Sequence, residues 1–317
     1  MNKRLIAVGC TVTVLTLAIL AYGWDRAWTA AQHTYFQLWQ DPNLTYTSVI
    51  ETVNFTSPAL NGQQRELKIY LPSAYNPKGH YRYPVLYLLH GYPGADTDWL
   101  INANLQPVLD RMIANHTLPP LLVVFPDGNG PVVRDSQYID GTAIKQNMEQ
   151  YLLDMVAFVD RHYHTNPDRH YRALGGISSG AYAAVNVGLH HNDRFAFLIS
   201  HSGYFMDREP AFFRLSDKSV TRQNKNNPLA YVTTIPVNPD TFIYMDVGSA
   251  DFRWRVTQNQ QMDQALAQRQ IAHEFHLTAG WHNWNVWRNN IQQSLPRLGQ
   301  FWQHSPAQNR QKVDKIG

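Results

Sequence analysis

Cysteine and charge are both scarce in this sequence. Of the 317 residues only Cys10 is a cysteine, which excludes an intrachain disulfide and any metal site built from several thiolates. Asp, Glu, Lys and Arg together make up 16% of the chain, the formal net charge is +3, and no basic run is interleaved with aromatic residues. These features argue against a nucleic-acid-binding protein. The hydrophobic share of 44% is sufficient for one large core or two small domains.

An apolar segment stands at the start of the chain. After two basic residues, the 18 residues from Leu5 to Tyr22 contain no charge. Because about 20 apolar residues span a bilayer, we predict a transmembrane signal anchor over residues 1–22, with its basic end in the cytoplasm. A signal cleaved near Ala31 and a lipoprotein attached at Cys10 are the alternatives. All three interpretations place the large domain outside the cytoplasm.

Residues 23–44 follow this segment and have an aromatic face at helical spacing, formed by Trp24, Trp28, Tyr35 and Trp39. One interpretation is a membrane-proximal helix at the bilayer interface, where Trp and Tyr are enriched. The other is a stalk whose aromatic face packs on the folded domain. At the far end of the chain, the composition of residues 304–317 predicts a polar tail.

Strand-like and helix-like segments alternate between residues 45 and 303. The stretches "YPVLYLLHG" and "LPPLLVVFP" are near-continuous apolar runs, typical of strands buried on both faces, and "SGAYAAVNVGLHH" is typical of a helix. The alternation predicts one α/β domain, with a mainly parallel central sheet covered by helices on both faces. The polar stretch 204–237 has little periodicity and is a possible lid or insertion.

The stretch "GGISSGAY", from Gly175 to Tyr182, contains a G-x-S-x-G pattern centred on Ser178. An apolar strand precedes the pattern and a helix rich in small residues follows it, which is the setting of a nucleophile on a sharp strand-to-helix turn. Ser178 is therefore the candidate nucleophile. Ser179 is expected to contribute its backbone N–H to an oxyanion hole, because that group lies at the start of the helix.

A nucleophilic serine needs a base and an orienting acid, which in this arrangement follow it in the order Ser, Asp or Glu, His. His282 lies in the loop after the predicted strand "HEFHL" and is the candidate base. Asp246 and Asp251 are both near the end of the predicted strand "TFIYMDVG". Asp251 is favoured as the acid, because it lies in the loop beyond the strand and can reach the carboxyl edge of the sheet.

The second oxyanion donor is expected in the loop "LLHGYPGADTDW", which follows an early strand. Pro93 has no N–H, so the donor comes from Gly91 or Tyr92, and Tyr92 is favoured. His90 at the strand end is expected to shape the loop rather than to act as a base.

Five stretches together resemble the putative-esterase family of α/β-hydrolases, which includes esterase D, tributyrin and feruloyl esterases and the antigen 85 mycolyltransferases. They are "YPVLYLLHGYPGADTDW", "VVFPDGNG", "LGGISSGAYAA", "DVGSADF" and "GWHNWNVWR". The resemblance implies an α/β-hydrolase fold with a nucleophile, an acid, a base and two oxyanion donors at Ser178, Asp251, His282, Tyr92 and Ser179. Ser179 and Ala181 replace the usual Met and Gly of the family. The cysteine-bearing oxyanion loop of esterase D is absent, which argues against S-formylglutathione as the substrate.

We therefore predict a membrane-anchored serine esterase facing outward, which acts on a small-molecule or lipid ester and needs no metal and no cofactor. Trp281 and Trp284 flank His282 and are candidates to line the acyl pocket. The first alternative is an acyltransferase of the mycolyltransferase type, acting on envelope lipids or sugars. The second is a surface binding module on a hydrolase scaffold without catalytic activity.

Overall fold

A computed structural model of the chain describes residues 48–141, 145–205 and 225–303. The predicted anchor over residues 1–22, the predicted aromatic helix within residues 23–44 and the polar tail 304–317 lie outside the described residues. Among the helices within the described ranges, none is both long enough and apolar enough to cross a bilayer.

The centre of the domain is a sheet of eight strands in the order β1-β2-β4-β3-β7-β8-β9-β10. β1 and β2 pair antiparallel, β2 pairs antiparallel with β4, and all other pairs in this sheet are parallel. The strands are β1 (Val49–Ser57), β2 (Gln63–Leu71), β3 (Val85–Leu89), β4 (Leu122–Pro126), β7 (Arg172–Ile177), β8 (Phe197–His201), β9 (Phe242–Gly248) and β10 (Ala272–Thr278), with a separate small ladder of β5 (Asp140–Gly141) and β6 (Gln146–Asn147). The predicted mainly parallel sheet is confirmed.

Helices cover both faces of the sheet, as predicted. They are α1 (Asp98–Asn102), α2 (Leu105–Ala114), α3 (Met148–His162), α4 (Ser179–His190), α5 (Pro228–Tyr231), α6 (Arg253–Gln268) and α7 (Trp284–Gln303), with short 3-10 helices at Pro58–Leu60 and Arg169–Tyr171. One core contains apolar residues of α3, α4 and α6. The other contains apolar residues of α1, α2 and α7.

Strand β3 shows why its sequence is a continuous apolar run. Val85, Tyr87 and Leu89 belong to the core on one face, whereas Leu86 and Leu88 belong to the core on the other. Successive side chains of a strand point to opposite faces, so a strand covered on both sides must be apolar at every position. Because β3, β4 and β7 to β10 are parallel, their carboxyl ends meet at the same edge of the sheet. The loops at this edge carry the polar side chains of the candidate site.

The stretch 204–237 is described only at its two ends, and residues 206–224 lie outside the described residues. At the first end, the N–H of Phe205 donates to Oε1 of Gln258, at 2.9 Å. At the second end, the hydroxyl of Tyr182 in α4 donates to the carbonyl of Asn226, at 2.7 Å. Both ends are therefore attached to helices of the domain, and the lid or insertion stays a prediction.

At the opposite edge from the polar loops, Arg169 ties together the segments that precede β7, β8 and β9. Its Nε donates to the carbonyl of Asn192 at 2.7 Å, and Nη2 donates to the carbonyl of Phe195 at 3.0 Å. The same guanidinium contacts Asp240 at 2.5 Å and Thr241 Oγ1 at 2.8 Å. The planar guanidinium, with its five N–H donors, thus joins these three segments through a single side chain.

Arg169→Ala should lower the free energy of unfolding by about 2–3 kcal/mol, because it leaves two carbonyls and Asp240 without this donor. Chemical denaturation measures the change. Arg194→Ala is the control, because the Arg194 side chain is 53% exposed, and it should change stability by less than about 0.5 kcal/mol. Equal effects of the two substitutions would contradict the role given to Arg169.

Candidate active site

Ser178 lies on the turn between β7 and α4, and its backbone has φ 53° and ψ −116°. A positive φ is costly for a residue with a side chain, so the surroundings must hold it. The Ser178 N–H donates to the carbonyl of His201 at 3.0 Å. A Cβ on Gly176 would lie 2.5 Å from the carbonyl carbon of Gly180, and a Cβ on Gly180 would lie 2.5 Å from the His90 carbonyl oxygen. Both glycines of the motif are therefore required by close backbone approach.

The structure brings together the three side chains that the sequence predicts. Nε2 of His282 lies 2.9 Å from Oγ of Ser178. On its other side, Nδ1 of the same ring lies 2.8 Å from Oδ2 of Asp251. The Asp251 side chain is fully buried and that of His282 is 20% exposed. This hydrogen-bonded chain fixes the tautomer, because Nδ1–H donates to the carboxylate and Nε2 is left to accept the serine proton.

Asp246, the alternative acid, lies elsewhere. Its Oδ2 is 2.5 Å from Nδ1 of His201, and its Oδ1 accepts from the amide of Asn290 at 2.7 Å. On the other side of the same ring, Nε2 of His201 lies 3.2 Å from Oγ of Ser294. Asp246, His201 and Ser294 are each 0% exposed. Asp246 is thus part of a sealed polar cluster beneath the site, and Asp251 is the carboxylate that contacts His282.

The environment separates the charge states of the two partners. Burial alone would raise the pKa of Asp251, but the hydrogen bond from His282 and the charge of Arg255 outweigh it, and the pKa lies below its usual value. Burial also disfavours the imidazolium of His282, and the positive charge of Arg255 adds to that effect. Although Asp251 opposes both, the pKa of His282 is lowered from 6.5. The aspartate is therefore ionised and the histidine neutral near pH 7.

Arg255 is a member of this site that the sequence analysis did not identify. Its Nη1 donates to Oδ1 of Asp251 at 2.7 Å and lies 3.1 Å from Nδ1 of His282. Asp251 lies in the loop two residues before α6, and Arg255, four residues after it, lies in the first turn of the helix, so the two side chains meet at the helix start. The i,i+4 acid–arginine spacing beside the candidate acid was the signal that could have found it.

The predicted oxyanion loop is held from below by His90. Nδ1 of His90 donates to the carbonyl of Gly91 at 2.6 Å, and Nε2 accepts from the N–H of Gly128 at 2.8 Å. The hydroxyl of Tyr138 donates to the His90 carbonyl at 3.0 Å. A Cβ on Gly91 would lie 3.2 Å from Cβ of Ser178, so this loop passes directly beside the serine. His90 is 3% exposed and both ring nitrogens are engaged, which fits a residue that shapes the loop.

The two predicted oxyanion residues directly follow Gly91 and Ser178 in the chain. Tyr92 follows Gly91 in the loop, and its side chain is 41% exposed. Ser179 is the first residue of α4 and is buried. The N–H groups at a helix start carry the positive end of the helix dipole, which favours an anion there. Their role as donors stays a prediction.

The two predicted pocket tryptophans occupy different environments. Trp281 is 65% exposed and directly precedes His282. Trp284 is partly buried and packs edge-on against Trp99, with the ring centroids 5.4 Å apart, so a large part of its surface belongs to the core. Phe252 was not predicted; it is 58% exposed, and its ring centroid lies 6.5 Å from that of His282. The exposed ring of Phe252 therefore lies near His282, the candidate base.

Comparison with known protein sequences identifies the family to which the chain belongs. A family model described as "Putative esterase" matches residues 57–298, which is most of the domain. An endo-1,4-β-xylanase/feruloyl esterase of Xylanibacter ruminicola is 29% identical over 167 residues, which cover 50% of this chain and 22% of that protein. An acetyl esterase of Caldicellulosiruptor saccharolyticus is 24% identical over 225 residues, which cover 65% of this chain and 79% of that enzyme.

Solved structures show the same fold. A ferulic acid esterase superposes with a TM-score of 0.70 at 23% identity, covering 81% of this chain and all of that one. An S-formylglutathione hydrolase from Staphylococcus aureus superposes with a TM-score of 0.64 at 18% identity, covering 79% of this chain and 98% of that one. The strand order, the turn at Ser178 and the matching family model lead to one conclusion: the chain is a member of the putative-esterase family and has an α/β-hydrolase fold.

Proposed function

We propose that this protein hydrolyses carboxylic esters through an acyl-enzyme on Ser178. The observation that carries the proposal is the hydrogen-bonded chain from Ser178 through His282 to Asp251, at the end of a strand where the serine has a strained backbone. A neutral histidine that accepts from a serine and donates to a buried carboxylate is the arrangement that activates a hydroxyl. Nothing in this reaction requires a metal or a cofactor.

In the first half of the reaction, Oγ of Ser178 attacks the ester carbonyl carbon while its proton moves to Nε2 of His282. The carbonyl oxygen becomes an oxyanion, which the N–H groups of Tyr92 and Ser179 are proposed to stabilise. When the tetrahedral intermediate collapses, the bond to the alcohol oxygen breaks and that oxygen takes the proton from Nε2. Asp251 stays ionised and stabilises the imidazolium throughout.

In the second half, a water molecule gives a proton to Nε2 of His282 and attacks the acyl carbon. Collapse of the second intermediate breaks the bond to Oγ, which recovers its proton from His282, and a carboxylic acid is released. The names of the relatives include feruloyl and acetyl esterases. The exposed ring of Phe252 near His282, together with the exposed Trp281 that precedes this histidine in the chain, supports a substrate with an apolar or aromatic part near the scissile bond.

A fluorophosphonate probe tests the nucleophile, because it forms a covalent bond with an activated serine. The full chain should be labelled, and Ser178→Ala should abolish labelling and lower kcat for nitrophenyl esters by about 10⁴-fold or more.

Asp251→Asn should lower kcat for the same esters by a similar factor, because the amide leaves His282 in the wrong tautomer.

Ser179→Ala is the matched control, because it keeps the backbone N–H and removes only a hydroxyl. It should be labelled like the unmodified chain. Folded protein that the probe does not label would contradict the esterase proposal and favour a binding module. Loss of labelling in Ser179→Ala would show that Ser178 has been wrongly assigned as the nucleophile.

We further propose that the domain is anchored to the cell membrane and faces outward. The uncharged run from Leu5 to Tyr22 and the basic residues before it support this proposal. In intact cells, a membrane-impermeant fluorophosphonate should label the full chain, and the labelled protein should stay in the membrane fraction. Leu15→Arg, which costs about 3 kcal/mol at the centre of the span, should reduce the retained fraction. Labelling only after lysis would contradict the outward orientation.

The lowered pKa of His282 has a consequence for the pH profile. The base must be neutral, so kcat/KM is full above the pKa of His282 and falls as the pH drops through it. Since burial and Arg255 place that pKa below 6.5, the acidic limb should have its midpoint below pH 6.5. Rates of nitrophenyl ester hydrolysis in buffers of constant ionic strength measure it, and a midpoint above this value would contradict the assignment.

A further inference from the structure

Arg255 is a buried arginine at the start of α6, and its guanidinium lies against both members of the acid–base pair. Its side chain is 8% exposed, and that of Asp251, its partner, is fully buried. Nη1 is 2.7 Å from Oδ1 of Asp251 and 3.1 Å from Nδ1 of His282. A charge in this position affects the chemistry of the pair, because charges interact strongly where water is excluded.

The two carboxylate oxygens of Asp251 have different hydrogen-bond partners. Oδ2 accepts from Nδ1–H of His282, whereas Oδ1 accepts from Arg255 and, at 2.6 Å, from the N–H of Phe252. Arg255 cannot donate to Nδ1, because that nitrogen carries the proton given to Oδ2. Its contact with the histidine is therefore electrostatic. Its hydrogen bond prevents the carboxylate from rotating away from the imidazole.

Aromatic rings hold the guanidinium itself in place. Its central carbon lies 4.5 Å from the ring centroid of Trp254, 5.5 Å from that of Phe252 and 5.9 Å from that of Tyr204. Each ring presents a face that attracts a cation. The backbone around Arg255 is also fixed, because the amide of Asn259 donates to its carbonyl at 2.9 Å. The arginine is thus preorganised rather than recruited by the substrate.

We propose that Arg255 is a positioning residue for ester hydrolysis: it fixes the carboxylate of Asp251 and keeps His282 neutral to a lower pH than the Asp–His pair alone would. The inference rests on the proposed function, since it assigns a role within the same reaction. Arg255 touches neither Ser178 nor the ester in this scheme, and it acts through Asp251 and His282.

The charged side chains that the described structure places against His282 are Asp251, from the loop after β9, and Arg255, from α6. Its other neighbours are the hydroxyl of Ser178 and the rings of Phe252 and Trp287, which do not titrate near neutral pH. The two charges have opposite effects on the imidazolium. Removal of Arg255 therefore leaves the stabilising charge of Asp251 unopposed, and the protonated form of His282 becomes more stable.

The test compares Arg255→Gln and Arg255→Lys with Arg253→Gln, an exposed arginine at the start of the same helix. In Arg255→Gln the acidic midpoint of kcat/KM should rise by about one pH unit, and the plateau should fall about tenfold through kcat with little change in KM. Arg255→Lys keeps the charge but not the planar fork, so its midpoint should stay near that of the unmodified enzyme while its plateau falls. Arg253→Gln should change neither quantity.

A double-substitution cycle separates positioning from stability. If Arg255 acts through the carboxylate, Arg255→Gln should add less than about twofold to the loss of probe-labelling rate already caused by Asp251→Asn. An equal loss in both backgrounds, or an unshifted acidic midpoint in folded Arg255→Gln, would overturn the inference. Should Arg255→Gln not fold, an unchanged plateau in Arg255→Lys overturns it instead. An unmodified chain that the probe does not label would refute the proposed function and this role with it, whereas failure of the inference alone leaves labelling of the unmodified chain intact.

Discussion

Close backbone packing at the carboxyl end of β7 is the constraint on which the site depends. The helix that starts at Ser179 approaches so closely that Gly176 faces Gly180, and Gly180 faces the carbonyl of His90. A side chain at either glycine would push the helix away from the sheet. The same closeness sets the serine at a positive φ, lifts it onto the edge of the sheet and brings the loop at Gly91 beside it. The proposed nucleophile and the loop proposed to bind the oxyanion thus depend on the same close packing.

A second layer joins the serine to the histidine through β8. The carbonyl of His201 accepts from the N–H of Ser178, and the next residue, Ser202, accepts from Nε1 of Trp287 at 3.0 Å. The Trp287 ring in turn packs edge-on against His282, with the centroids 4.8 Å apart. Ser178 and His282 come from distant parts of the chain, yet their positions depend on two adjacent residues at one strand end, His201 and Ser202.

The sequence was sufficient for the parts of this molecule that follow from periodicity and local motifs. Continuous apolar runs such as β3 predict a strand covered on both faces, and the structure confirms that layering. The pattern around Ser178 predicts the turn, because only glycines tolerate the approach there. The preference for Asp251 over Asp246 came from the position of each residue relative to the strand end, and the contacts follow that distinction.

Other parts depend on contacts between distant segments, which a pattern of residue types does not encode. Arg255 belongs to a largely polar helix, and only the fold shows that its guanidinium contacts both Asp251 and His282, which lies 27 residues later in the chain. Trp281 and Trp284 are both tryptophans within two residues of His282, so the sequence does not distinguish their environments. In the fold, Trp284 packs on Trp99 and is partly buried, whereas Trp281 is exposed. The apolar run from Leu5 to Tyr22 lies outside the described residues and stays a prediction.

The buried cluster of Ser294, His201 and Asp246 contains the same three residue types as the proposed triad, linked in the same order. It is sealed from solvent, and its serine lies within α7 rather than on a strained turn. Comparison of the two clusters shows that residue types and hydrogen-bond order alone do not distinguish the proposed catalytic triad from a buried structural cluster. The two clusters share their residue types and the order of their hydrogen bonds, whereas only the Ser178 cluster has a positive φ at its serine, a helix that starts at the next residue, and a histidine that reaches solvent. A search of hydrolase structures by side-chain identity alone would return both clusters, and the backbone around the serine distinguishes them.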